Sequence, residues 1–336
     1  MNGVRRVPAL AIAILFLAAA CQAPRAGSGG TPAASATGAP DFTGRSLNIV
    51  TGGTGGVYIV YGAGLADLLH KKLNVNSSAE STAASVANMQ LIRDGKADLA
   101  FTLADTAYDA AQGRTAAFEG KKVDAKALAV LYTNFTHVIA KDGAGIKTVA
   151  DLKGKRVSVG AANSGTEVLA NRILEAYGLD PGKDINRERL GVADSANGLR
   201  DGKLDAFFWS GGLPTSQITD LVSGTKIVFV DHTDSIKKMS DKYGPFYFNA
   251  KIPKNTYKND ADVTVAGVAN LLVAPTKMEP ALVRAVLQTM FDNKADLEII
   301  HAEAKNLKLE TAVEGSPLEF HDGAIDFYKS KGVWKK

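Results

Sequence analysis

Short apolar runs alternate along this chain with longer stretches of helical period, the pattern of an α/β protein. Residues 47–50 form an apolar run that predicts a strand, followed by Gly52-Gly53-Thr54-Gly55-Gly56. Val57, Tyr61, Leu65, Leu68 and Leu69 then share one face of a helix. A second helix is predicted over 81–93, with Val86, Met89 and Ile92 inward, and a strand over 99–101 that ends at Thr102 and Asp105. Further strands are predicted at 128–132, 137–140 and 263–273, and long helices from Glu279 onward, with Pro275 and Pro280 marking that junction.

The pattern repeats. Arg93-Asp94-Gly95-Lys96-Ala97-Asp98-Leu99-Ala100-Phe101 returns 107 positions later as Arg200-Asp201-Gly202-Lys203-Leu204-Asp205-Ala206-Phe207-Phe208. Leu47-Asn48-Ile49-Val50-Thr51-Gly52 has its counterpart 108 positions later in Lys155-Arg156-Val157-Ser158-Val159-Gly160. A common Asp-Gly turn explains one match but not two at near-equal offsets. Two similar lobes are therefore expected, each with its own sheet. Residues 45–137 and 251–336 are assigned to the first lobe and 138–250 to the second.

The N-terminus reads differently. Arg5 and Arg6, an apolar stretch from Ala9 to Ala19 and the small residues 18–20 make residues 1–20 a signal peptide. Cys21, the only cysteine, follows directly, as in a lipobox whose cysteine is acylated, although Ala18 stands where leucine is usual. The other reading is ordinary cleavage after Ala20. Residues 21–44 form a disordered tether, since 22–40 are almost all Ala, Gly, Ser, Thr and Pro. As a flexible coil it would reach about 25–30 Å. Location on the periplasmic or extracellular face, anchored by a Cys21 lipid, follows.

Charge and composition exclude several classes. Net charge is +4, or +2 once Arg5 and Arg6 are removed, and no basic run is present, so nucleic acid is not an expected partner. One cysteine and five histidines without close spacing leave no local metal motif.

The strongest chemical signal is a pair of Gly-rich loops between strand and helix. The first includes Thr51, Gly52, Thr54, Gly55, Gly56 and Tyr58; the second is Gly160-Ala161-Ala162-Asn163-Ser164-Gly165-Thr166. Such loops place backbone N–H groups and a helix dipole at the carboxyl end of a strand, where a small anion is favoured. Neither is a nucleotide motif: the first lacks the third glycine of GxGxxG and the second has Thr166 where a P-loop needs lysine. Tyr58 can lie against a ligand or serve as a core aromatic. Ser81, Thr82 and Ser85 supply more hydroxyls than capping alone needs. Thr102 and Asp105 end a strand and open a helix, and Asp105 can cap that helix or face the ligand. Trp209, Gly212 and Pro214 lie where the second lobe's strand exits. Catalysis finds no support: no GxSxG elbow is present, and His321 beside Asp322 reads as a helix start with capping before it reads as a dyad.

These motifs, taken in order, resemble the TAXI-type solute-binding proteins of tripartite ATP-independent periplasmic (TRAP) transporters. The resemblance rests on Thr51 to Tyr58, on Glu80-Ser81-Thr82 with Ser85-Val86-Ala87-Asn88, and on the two Arg-Asp-Gly-Lys segments. Ser164-Gly165-Thr166-Glu167 and Ser316-Pro317-Leu318 with His321-Asp322-Gly323-Ala324 complete it. It covers about 45–336 and implies a two-lobed periplasmic-binding-protein fold, type II-like, with the ligand cleft between lobes and two hinge crossings. It further implies a non-enzymatic receptor without cofactor that takes a small carboxylate such as glutamate or 2-oxoglutarate to membrane-embedded TRAP permease subunits. A lipoprotein sensing a ligand for a receptor kinase, and a small-metabolite enzyme on the same fold, are the alternatives.

Overall fold

The first apolar run becomes β1 (Ser46–Val50), with Leu47, Ile49 and Val50 buried. The structure, a computed structural model, describes residues 41–335. The signal peptide, Cys21 and most of the tether lie outside the described residues. Phe42 is already buried and Gly44 N donates to Asn74 O (3.1 Å), so the packed body begins before the tether's expected end at Gly44.

α1 (Val57–Leu73) follows the first Gly-rich loop, and its five predicted core residues are all buried. Tyr61 meets Phe101 edge-on at 5.7 Å between ring centroids. Burying each such side chain contributes roughly 1.5–3 kcal/mol. Next come β2 (Asn76–Glu80), α2 (Ser85–Arg93), β3 (Leu99–Leu103) and α3 (Ala104–Gln112). β1 lies between β2 and β3, parallel to both. The second unit repeats this plan. After β4 (Ala125–Lys141) come β5 (Arg156–Ser158), α4 (Gly165–Ala176), β6 (Asn186–Glu188), α5 (Val192–Arg200) and β7 (Ala206–Gly211). β5 lies between β6 and β7, again parallel to both.

The repeated aspartates show why the motif recurs. Asp98 accepts from Asn48 N (2.8 Å) and returns its own N–H to Asn48 O (3.0 Å). Asp205 accepts from Arg156 N (2.8 Å) and returns its N–H to Arg156 O (2.9 Å). In each unit the aspartate clamps the start of the last strand to the start of the first.

The chain continues through α6 (Ser216–Gly224), β8 (Ile227–Phe229), α7 (Thr233–Tyr243), β9 (Phe248–Ile252) and β10 (Val263–Pro275). It ends with α8 (Pro280–Asp292), α9 (Lys294–Ile300) and α10 (Asp322–Ser330). These are short helices, not the long ones expected, and α8 and α9 pack on α1. Two strands cross between the halves. β4 pairs with β10 up to Phe135 and with β7 from Phe135 to Ala140. β10 pairs with β9 from Val263 to Gly267 and with β3 from Asn270 to Val273. The protein is thus two-lobed with two crossings, but the lobes share one hydrogen-bonded sheet, β2-β1-β3-β10-β4-β7-β5-β6, where two sheets were expected. Residues 128–132 and 137–140 belong to one strand, and the second crossing runs within β10, later than residue 251.

Candidate functional site

In each lobe the parallel strands end at the same edge, so α1 and α2 start facing α4 and α5. A cavity of about 240 Å³ lies among these four helix starts. The first turn of a helix leaves N–H groups without intrahelical partners, and the dipole adds positive potential there. α1, α2 and α5 have no side-chain hydrogen bond at their N-caps; in α4, Ser164 Oγ accepts from Glu167 N (3.0 Å). Three of the four starts are therefore without a side-chain cap, although in α2 the third N–H, of Ala87, is taken by Asn163 O (3.1 Å). Residues 190–194, the end of the loop before α5 and its first turn, line the cleft as the counterpart of the start of α2.

Of the predicted residues, Gly52, Thr54, Gly56, Tyr58, Thr82, Ser164, Gly165, Thr166 and Trp209 line the cavity. Gly56 lies under the Trp209 ring, where a Cβ would stand 3.3 Å from the indole. Tyr58 presents its ring, but its hydroxyl donates to Asn270 Oδ1, and burial raises its pKa above the ordinary phenol value. Thr82 Oγ1 accepts from Ala84 N (2.9 Å) and lies 2.6 Å from Asn88 Oδ1, so it orders the loop. The Trp209 indole N–H is taken by Thr215 Oγ1 (2.9 Å).

The other predicted residues stand behind the site. Thr51 is buried and donates to Glu80 O (2.6 Å), holding β1 to β2. Ser81 Oγ donates to Gly52 O (3.0 Å) and is absent from the lining; α2 begins at Ser85, because β2 occupies the chain up to Glu80. Gly55 has φ +86°, and a Cβ there would meet the Gln217 amide of α6 at 2.0 Å, so it is a point of close approach between lobes. Thr102 is buried within β3. Asp105 is neither the cap of α3, whose N-cap is Leu103, nor at the cavity: inside the first turn it accepts from Thr106 N (2.7 Å) and pairs with Arg172. Asn163 is exposed, and its carbonyl accepts Ala87 N (3.1 Å) from the other lobe. Gly212 packs on Glu303, whose carboxylate accepts Leu213 N (2.6 Å), and Pro214 is exposed after the cis Leu213–Pro214 bond. His321 Nδ1 accepts Gly323 N (3.2 Å) at the start of α10, the capping role.

Sequence reasoning missed Tyr132 and Asn134 on β4 and residues 190–194 at the start of α5, all of which line the cavity; Ser210 and Gly211, in the segment read as the second lobe's strand exit, line it too. Ala84 lines it with φ +81°, an unusual conformation for a residue with a Cβ. No lysine, arginine or histidine lines the cavity, and Asp194 is its one charged lining side chain among the described residues. Any anion here is held by amide dipoles and hydroxyls.

Residues 49–332 match the NMT1-like family. The chain belongs to that family. The periplasmic aliphatic sulphonate binding protein of Escherichia coli is 18% identical to this NMT1-like protein, with 86% of this chain and 84% of that one covered and a TM-score of 0.45. A structure from Bordetella bronchiseptica RB50 is 16% identical over 85% and 89%, with a TM-score of 0.50. A binding protein component of an ABC phosphonate transporter from Pseudomonas aeruginosa is 11% identical over 77% and 79%, with a TM-score of 0.49. At 16% identity the likeness to the Bordetella bronchiseptica structure is one of fold alone.

Proposed function

We propose that this protein is an extracytoplasmic solute receptor that captures a small carboxylate, such as glutamate or 2-oxoglutarate, and hands it to a membrane permease. The observation that carries the reading is the convergence of four helix starts, three without a side-chain cap, on one small cavity between lobes. Backbone N–H groups of α1, α2, α4 and α5 hold the carboxylate, and the Tyr58 and Trp209 rings cover the carbon chain. A ligand that touches both lobes only when they are closed shifts the protein towards closure. Among the described residues no nucleophile–base pair lines the cavity, and the reading is binding without turnover.

The test is thermal shift and calorimetry of the purified protein with glutamate, glutamine, 2-oxoglutarate, succinate, malate and short fatty acids. Stabilisation of roughly 3–4 kcal/mol at a hundred- to a thousandfold excess over Kd is expected from one of them. No shift with any of them, in protein stripped of cargo by refolding, would overturn the carboxylate reading. The sequence motifs favour a TRAP permease as partner. Uptake that follows an ion gradient and not ATP would support that, and ATP-dependent uptake would replace it with an ABC partner. Acylation of Cys21 is tested by fatty-acid labelling lost in Cys21→Ser.

A further inference from the structure

α3 and α4 belong to different lobes, yet they share a buried ionic cluster outside the cleft. Arg172 of α4 donates from Nη1 to Asp105 Oδ2 (2.9 Å) and from Nη2 to Asp109 Oδ2, both on α3. The Tyr247 hydroxyl accepts from Arg172 Nη1 and donates to the same Asp105 oxygen (3.0 Å). The Tyr243 ring lies 4.3 Å from the guanidinium carbon. None of these four hydrogen-bonded residues is more than 6% exposed: Asp105 is 0%, Arg172 and Asp109 are 5% and Tyr247 is 6%. Burial alone would lower the Arg172 pKa, but Asp105, Tyr247 and Asp109 raise it above its ordinary value. Burial raises Asp109 despite the pull of Arg172.

The cluster sits one layer behind the cleft wall. Leu103 and Gly165 line the cleft, and a Cβ on Gly165 would stand 2.6 Å from Leu103 Cδ1. Asp105 follows Leu103 by two residues, and Arg172 lies two turns along α4 from Gly165. Closing the wall and forming the cluster are therefore one movement.

We propose that Arg172, Asp105, Asp109 and Tyr247 form a latch between lobes, positioning residues that set how long the cleft stays closed without touching the ligand. Hydrogen bonds fall off steeply with distance, so a few ångströms of opening break all of them together. Opening also rehydrates three charges and returns much of their desolvation cost, which keeps the closed state reversible. An apolar patch of the same size would hold the lobes without that rehydration term.

The latch rests on the two-lobed fold, and only its ligand arm rests on the proposed receptor function. Two variants test it: Asp105→Asn/Asp109→Asn/Arg172→Met, which leaves no charge unpaired, and Tyr247→Phe, which keeps the ring and removes the hydroxyl. Small-angle scattering of the purified full chain without added ligand reads the open-to-closed ratio, and circular dichroism reads the fold. The expected result is a wider particle for the triple variant, its open-to-closed ratio raised about tenfold or more, and a smaller change for Tyr247→Phe. With glutamate or 2-oxoglutarate as probe, dissociation should accelerate by a similar factor and association change little. Native dichroism with wild-type scattering in both variants overturns the latch, even if melting temperature falls, because that is a packing role. If the triple variant does not fold, Tyr247→Phe decides. If neither probe binds, the receptor reading fails while scattering still decides the latch.

Discussion

Asn270 Nδ2 donates to Asn134 Oδ1 at 2.7 Å, joining β10 to β4, the two strands that cross between the lobes. Both side chains are buried, and the bond is the middle of a longer series. Tyr58 of α1 donates to Asn270, Asn134 Nδ2 donates to Ser210 Oγ (3.3 Å), and Ser210 N donates to Thr166 Oγ1 (3.2 Å) at the start of α4. Polar contacts thus run from one helix start, across both crossings, to its counterpart in the other lobe.

Asn270→Ala should break that series at its centre. It strands the Tyr58 hydroxyl and one Asn134 oxygen in a buried site, which costs about 1–3 kcal/mol of stability. Affinity should fall as well, because Tyr58 and Thr166 lose their shared reference. Urea denaturation and calorimetry on the same preparation check this; unchanged values in both would show that the series is incidental.

Gly165 tests how tightly the lobes must meet. A Cβ there would lie 2.6 Å from Leu103 Cδ1 and 2.8 Å from Ser85 Oγ, both in the opposite lobe. Overpacking of this kind costs about 1–3 kcal/mol, and here it falls on closure rather than on either lobe's own core. Gly165→Ala is expected to weaken ligand binding by up to that amount and to widen the ligand-free particle in small-angle scattering. A large loss of ligand-free stability with full affinity would contradict it.

Tyr132 carries a buried hydroxyl with no hydrogen-bond partner, and desolvation pushes its pKa well above the ordinary phenol range. Tyr132→Phe removes that unpaired group and keeps the ring. Ligand-free stability should hold or rise by about 1 kcal/mol. A clear loss would mean that the hydroxyl is bonded in solution.

The elements read correctly from sequence were those with strong local signatures. β1, β3 and β7 are apolar runs, and the Asp-Gly-Lys turns recur because Asp98 and Asp205 make the same pair of backbone bonds. β2 and β6 were not legible. Asn76-Ser77-Ser78-Ala79-Glu80 and Asn186-Arg187-Glu188 are strands at the two ends of the sheet, with no apolar alternation to mark them. Losing β2 moved the start of α2 to Ser81 and drew Ser81 into the site. The two Gly-rich loops marked half of the cleft. Its other half, Ala84 and residues 190–194, lines the cavity at helix starts whose backbone N–H groups any residue can supply, so no residue type marks it. Asn134 and Asn270 are far apart in sequence, and only the β4–β10 pairing brings them together.

Two buried histidines make the protein acid-sensitive from inside. His137 has Nδ1 against Trp209 O (3.2 Å) and an unpaired Nε2; His232 Nε2 accepts Ala266 N (3.0 Å). Burial pushes both down from 6.5 to about 4, so both are neutral in the fold. The unfolded chain, with ordinary histidines, takes up protons first as pH falls. Stability from these groups is therefore complete above pH 6.5, is lost progressively towards pH 4, and falls no further below it. Each histidine contributes at most roughly 3 kcal/mol to that loss. Carboxylates titrate in the lower part of the same window, so the informative quantity is a difference between proteins. Urea denaturation at pH 7 and pH 4.5 should show a smaller drop for His137→Leu than for wild type, by up to the contribution of one histidine. Equal drops would mean that His137 is already protonated, or reached by water, in the folded protein.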